Sequence, residues 1–256
     1  MGLIAMLYGF LCYLAFLASF LYAVAFIGDL PVPKTIDSGS VGATPDALLI
    51  DLALLGLFAV QHSVMARASF KRWVSRIIPR PVERSTYVLI ASLLLGLICW
   101  KWHPLPQVLW DLSAPPARSL VQACFVLGWL AVLLSTFMID HFELFGLRQV
   151  FDYWRGAPAV TPAFRTPAFY KLVRHPIYLG FLLAFWSTPR MTVGHLLFAA
   201  ATTGYIFVGI FFEERDLMAA FGEHYRSYRR RVPMILPFLL RRVDVPAQPQ
   251  ADSRLK

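Results

Sequence analysis

KLVRHPIYLG, residues 171–180, opens a unit that closes with FFEERDLMAAFGEHYRSYRRRVPMILP, residues 211–237. Between these two ends the chain is almost wholly apolar, so basic and acidic groups stand directly against runs long enough to enter a bilayer. Such placement is costly unless the charges face a cavity or mark the end of a span. The unit therefore reads as a site at one end of a helical membrane protein, and the remaining chain is read outward from it.

Composition agrees. Only 15% of the 256 residues are charged while 58% are hydrophobic, against roughly 25% charged in soluble domains. The expectation is an all-α polytopic integral membrane protein of about six transmembrane helices, the fifth short, with a helical C-terminal segment on the cytoplasmic side. Residues 1–243 form its single domain, 171–237 being the ligand-binding unit, and residues 244–256 read as a disordered tail. Residues 3–27 are free of charge and lack a basic leader, so they read as a retained span. Further runs cover 47–66, 85–100, 119–139, 177–188 and 191–212. As a helix, 177–188 would rise about 18 Å at 1.5 Å per residue, short of a hydrocarbon core of about 30 Å. Cys12, Cys99 and Cys124 each sit inside an apolar run, with no spacing that implies a disulfide framework or a metal site.

The basic residues supply an independent test of topology. The connection after the first run holds Lys34 alone, whereas the second holds Arg67, Lys71, Arg72, Arg76, Arg80 and Arg84. Residues 103–117 hold no lysine or arginine, the fourth connection holds Arg148, Arg155, Arg165, Lys171 and Arg174, and Arg190 marks the fifth. Poor and rich connections alternate, which places both termini and the site in the cytoplasm. The net charge of +9 is then topological and lipid-facing, and nucleic acid is not an expected partner. Prolines and glycines make the first and third connections irregular outer loops, with Trp100, Trp102 and Trp110 suited to the interface.

Pro176 fits a first helical position with His175 near the cap. Unpaired N–H groups and the positive end of the dipole, beside Arg174 and Lys171, suit a carboxylate or phosphate. Glu213 and Glu214 oppose the basic trend of their end. If the helix continues past them, Glu214, Met218, Phe221, Tyr225 and Tyr228 share one face, offering a carboxylate, an apolar wall and two aromatic rings. A ligand with an anionic group at one end and a nucleoside at the other fits both halves. S-adenosylmethionine and NADPH both answer to that, and no GxGxxG stretch follows a strand to hold either in a Rossmann domain.

At these residues the chain resembles the isoprenylcysteine carboxyl methyltransferase superfamily of membrane enzymes. The RHPxYxG pattern is met by Arg174, His175, Pro176, Tyr178 and Gly180, and an EExxL, FGxxY, YxxxVP and LP pattern runs from Glu213 to Pro237. Residues 61–95 and 140–150 are similar to a bacterial branch that methylates methanethiol to dimethyl sulfide. The resemblance implies S-adenosylmethionine in a cytoplasmic pocket of a bacterial inner membrane, contacted by Val173, Arg174, His175, Tyr178, Glu213, Glu214, Tyr225 and Tyr228. It implies a small thiol as acceptor, and residues 205–212 lack the basic group that prenylcysteine enzymes carry before the acidic pair. A thiol of pKa about 8.5 must lose its proton to attack; His62, His141 and Asp140 are the candidate bases. His195 and Asp51 lie toward the opposite side and read as structural. Two other readings stay open: an NADPH-dependent sterol-type reductase with a similar C-terminus, and a membrane protein that binds a small ligand without turnover.

Overall fold

The computed structural model describes residues 1–158 and 166–237; the tail expected at 244–256 lies outside the described residues. Helices dominate: α1 (Gly2–Ile27), α2 (Thr44–Ala66), α3 (Ala68–Val74), α4 (Arg80–Lys101), α5 (Pro115–Ile139), α6 (His141–Leu144), α7 (Leu147–Arg155), α8 (Pro176–Trp186), α9 (Val193–Phe221) and α10 (Glu223–Arg231). Five of them, α1, α2, α4, α5 and α9, are long and apolar enough to cross a membrane, and α8 is the shorter apolar helix. The chain is thus an all-α polytopic membrane protein, and its apolar runs extend by a few residues into polar flanks, as at Arg80 and Phe221.

Without a hydrophobic force between helices in lipid, packing depends on close backbone approach. The α5–α8 pair shows how. A Cβ added to Gly128 would stand 2.6 Å from the Ala184 nitrogen, and one on Gly180 would stand 2.7 Å from the Gly128 carbonyl oxygen. Glycines facing each other, with Ala184 one turn on, let the short helix lie flush against α5. The other extensive pairing is α1 on α4, with α7 laid against both; α2 joins α4 and α9, and α8 meets α9.

Opposite ends of the bundle are built differently. At one end, β1 (Val108–Asp111) and β2 (Arg190–Thr192) pair antiparallel, a small sheet inside connections expected to be irregular. Trp102, expected at the interface, is fully buried and packs edge-on to Phe26 and Phe198. Asp51 is buried beside it and accepts from the His103 backbone N–H at 2.9 Å, and His195 places Nε2 2.9 Å from the Phe185 carbonyl. This end is therefore tied by buried polar contacts to loop backbone.

The arginine-rich end carries the short helices α3, α6, α7 and α10. The α6–α7 turn rests on the start of α4 through Gly146, whose φ of +86° and whose approach to Ser85, 2.7 Å from any added Cβ, admit no side chain. Arg84 Nε donates to the Leu144 carbonyl at 2.7 Å. Gly222 (φ +54°, ψ −126°) ends α9 and turns the chain into α10. The helix does not continue as one rod past Phe221, because this backbone conformation is open to glycine and strained for other residues.

Candidate active site

Three elements meet at the arginine-rich end. Pro176 stands at the first position of α8 with His175 as its cap, so the preceding residues leave the helix extended. Arg174 N–H donates to the Pro233 carbonyl at 2.9 Å and His175 N–H to the Met234 carbonyl at 3.1 Å. The C-terminal segment thereby lies alongside residues 174–175 as a backbone-paired strap, and α10 is held over the end of α9.

Side chains lock the same junction. Arg174 Nε donates to Glu214 Oε1 at 2.7 Å, while its Nη1 donates to the carbonyls of Val232 at 2.6 Å and Arg229 at 3.0 Å. His175 Nε2 lies 3.2 Å from the same Glu214 oxygen, and Arg229 Nε stands 3.1 Å from Oε2. The side chains of Arg174, His175 and Glu214 are 8%, 3% and 7% exposed, so the carboxylate is shared among three partners in a nearly water-free place. Buried ion pairs survive only with such full satisfaction. Glu213 differs: its side chain is 44% exposed, 3.7 Å from His175 Nδ1, and it interacts with the Tyr178 hydroxyl. Of the two glutamates, Glu214 is committed to holding the junction and Glu213 remains open to a ligand.

The tyrosines complete the wall. Despite the break at Gly222, Tyr225 and Tyr228 are buried with Val232 against Leu217, Met218 and Phe221. Tyr228 donates to the Tyr170 carbonyl at 2.5 Å. Burial raises both hydroxyls, that of Tyr228 to about 12, so each stays a protonated donor at neutral pH. Val173 is buried, and the Tyr178 ring lies 5.6 Å from that of His175. Arg174, His175, Tyr178, Glu213, Glu214, Tyr225 and Tyr228 are therefore brought into one neighbourhood.

The candidate bases separate. His141 has both ring nitrogens engaged, Nδ1 with Thr136 Oγ1 at 2.9 Å and Nε2 with the Tyr13 hydroxyl at 2.8 Å, and it stacks on Phe137. Asp140 caps α6 by accepting from the Glu143 N–H at 3.0 Å and pairs with Arg148. His62 sits among rings instead, 5.2 Å from Phe58, 5.1 Å from Tyr87 and 6.5 Å from Tyr205. Its Nδ1 is shielded from solvent and has no hydrogen-bond partner among the described residues.

Reading the sequence missed Arg229, Tyr170, Tyr87 and Tyr205. For Tyr205 a signal existed: Tyr205, Gly209 and Glu213 recur every four residues, the spacing of one helix stripe.

A bundle of membrane-length helices that buries an Arg–Glu–His junction at one end, with a half-exposed carboxylate and tyrosines beside it, defines a polytopic membrane protein with a polar centre at one end of its helices. Comparison with known proteins gives the family. The chain is 54% identical over 235 residues to methanethiol S-methyltransferase of Mycobacterium tuberculosis, covering 92% of this chain and 96% of that protein. It is 56% identical over 236 residues to methanethiol S-methyltransferase 1 of Bradyrhizobium diazoefficiens, covering 92% and 82%. Nurim of Sus scrofa is 34% identical over 175 residues, 65% of this chain and 66% of that protein. No family model matches the chain, and no solved structure does. The chain belongs to the methanethiol S-methyltransferase family.

Proposed function

We propose that this protein transfers the methyl group of S-adenosylmethionine to methanethiol, giving dimethyl sulfide, at the cytoplasmic end of a bacterial inner-membrane helical bundle. Relatives named for that acceptor support the substrate, and the alternation of lysine- and arginine-poor and -rich connections supports the orientation.

The observation that carries the reading is the division of labour between the two glutamates. Glu214 is consumed by Arg174, His175 and Arg229, which leaves Glu213 as a half-exposed carboxylate beside the start of α8. The chemistry of this set fits the donor. Glu213 accepts from ribose hydroxyls or an ammonium group, and the first N–H groups of α8 with the Arg174 charge favour a carboxylate. Tyr178, beside His175, offers a ring to a base, while the buried Val173, Tyr225 and Tyr228 shape the site by packing. When bound, the donor supplies a methyl carbon made electrophilic by a positively charged sulfur. The apolar walls exclude water, and a reaction between a thiolate and a sulfonium, which destroys charge, gains from that exclusion.

Calorimetry on the purified protein tests the donor: binding of S-adenosylmethionine and not NADPH is expected. Glu213→Gln should weaken it about 10- to 100-fold, the range for losing a charged hydrogen-bond acceptor, with thermal stability unchanged. Headspace gas chromatography of membranes given methanethiol should then detect dimethyl sulfide in step with donor consumption. NADPH binding, or donor binding without dimethyl sulfide, would overturn the assignment.

A further inference from the structure

His62 is a half-buried imidazole whose Nδ1 is shielded from solvent and idle among the described residues, and the groups around it form a defined corner. Phe58 stacks on its ring with an interplanar angle of 16°, Tyr87 is tilted at 44° and Tyr205 stands edge-on at 78°. Tyr205 is fixed by a 3.1 Å hydrogen bond to Ser63, and Tyr87 by its hydroxyl, 3.4 Å from the His62 carbonyl. Buried polar atoms without partners are uncommon in native proteins and call for an explanation. Here the explanation is positional. Tyr205, Gly209 and Glu213 lie one turn apart along α9, and the Tyr178 hydroxyl stands 3.8 Å from a Cβ placed on Gly209, so the corner adjoins the junction formed by His175 and Glu214 along one helix stripe. The Arg84 guanidinium lies 4.9 Å over the Tyr87 ring, closing the corner on that side.

We propose that the corner of Phe58, His62, Tyr87 and Tyr205 receives the acceptor thiol and that Nδ1 of His62 takes its proton. The S–H bond breaks with its electron pair left on sulfur, and the proton passes to the Nδ1 lone pair, giving an imidazolium with Nε2 already protonated. The thiolate sulfur then forms a bond to the methyl carbon as that carbon's bond to the donor sulfur breaks, the pair remaining on the donor. The imidazolium proton leaves to solvent before the next turnover. The surroundings fit the acceptor: ring edges and faces make favourable contacts with sulfur, and the rings of Phe58, Tyr87 and Tyr205 bound the imidazole on three sides. His141 and Asp140 have no comparable idle atom facing apolar walls.

The assignment rests on the methyl-transfer reading, and the test separates the two. Purified protein, His62→Gln and His62→Phe are compared with ethanethiol and with trifluoroethanethiol, which has nearly the same shape but a more acidic thiol. His62→Phe keeps the stack on Phe58, so it guards against a folding failure in His62→Gln. With ethanethiol both variants should fall roughly 100- to 10,000-fold in kcat, the span for loss of a general base. With trifluoroethanethiol, assayed above the pKa of that more acidic thiol, they should fall less than about tenfold, because its thiolate then forms without a base. Calorimetry should find S-adenosylmethionine affinity unchanged in both, which a collapsed site would not give. Equal losses with the two thiols, no loss with either, or loss of donor affinity in both variants would overturn the role of His62. Absence of turnover in the unaltered protein with both thiols would overturn the methyl-transfer reading itself.

Discussion

Glu214→Ala probes the junction most directly. The substitution removes the acceptor of Arg174 Nε at 2.7 Å and of His175 Nε2 at 3.2 Å, and the counter-charge of Arg229. Arg174, 8% exposed at its side chain, is left as an uncompensated buried cation, a loss of about 3–5 kcal/mol in proteins generally. Arg229 is half exposed and lets water reach the vacated place, so a value near 3 kcal/mol is expected. At about 1.4 kcal/mol per tenfold, the strap and α10 should open roughly 100 times more often. Trypsin reads this, because Arg226, Arg229, Arg230 and Arg231 lie on α10; their cleavage should accelerate by about that factor when opening is fast relative to cutting. Cleavage between α2 and α4 serves as the internal control and should not change. Adding Arg174→Met should restore part of the protection, since no buried charge is then left unpaired. Unchanged cleavage in Glu214→Ala, or strictly additive effects in the double variant, would refute the argument that the pair holds the C-terminal segment.

Other consequences follow from packing and titration. Gly128→Ala should destabilise the α5–α8 pair by about 1–3 kcal/mol, as overpacking does, because its Cβ meets the Ala184 backbone at 2.6 Å; Gly204→Ala, with nothing within 4 Å, should be neutral or stabilising. Thermal unfolding of the two variants in the same detergent distinguishes them. Burial lowers the His141 pKa below its ordinary 6.5, with the nearby Asp140 charge opposing. A histidine whose folded pKa is depressed favours the folded state fully above its unfolded value and progressively less as pH falls through that value toward the folded one. The melting temperature should therefore drop as pH falls below about 6.5, and His141→Asn should flatten that dependence.

The spans could be read from the sequence because hydropathy over membrane length is a local property, and Gly2–Ile27 or Pro115–Ile139 needs no partner to declare itself. The short α8 was legible for the same reason, and Pro176 marked its start. Burial within the bundle was not. Trp102 carries the composition of an interfacial residue, yet its place under Phe26 and Phe198 is decided by how connections close over the far end. The site was half legible: the sequence placed Arg174, His175, Glu213 and Glu214 together but could not say that the second glutamate would be consumed by its neighbours. That depends on Arg229 arriving from α10, which in turn depends on the turn at Gly222. Amphipathic α7 also escaped notice, since its apolar stripe of Val150, Phe151 and Trp154 is interrupted by charges that only the contact with α1 and α4 explains.

Because Pro233 and Met234 supply the carbonyls that fasten Arg174 and His175, this end of the bundle depends on residues that follow every span along the chain. A nascent chain halted at Gly222 would possess all its membrane helices and still lack the closing stitch. Fastening of this end is thus left to the last described residues, and any extension placed immediately behind Met234 would tug on the same two hydrogen bonds.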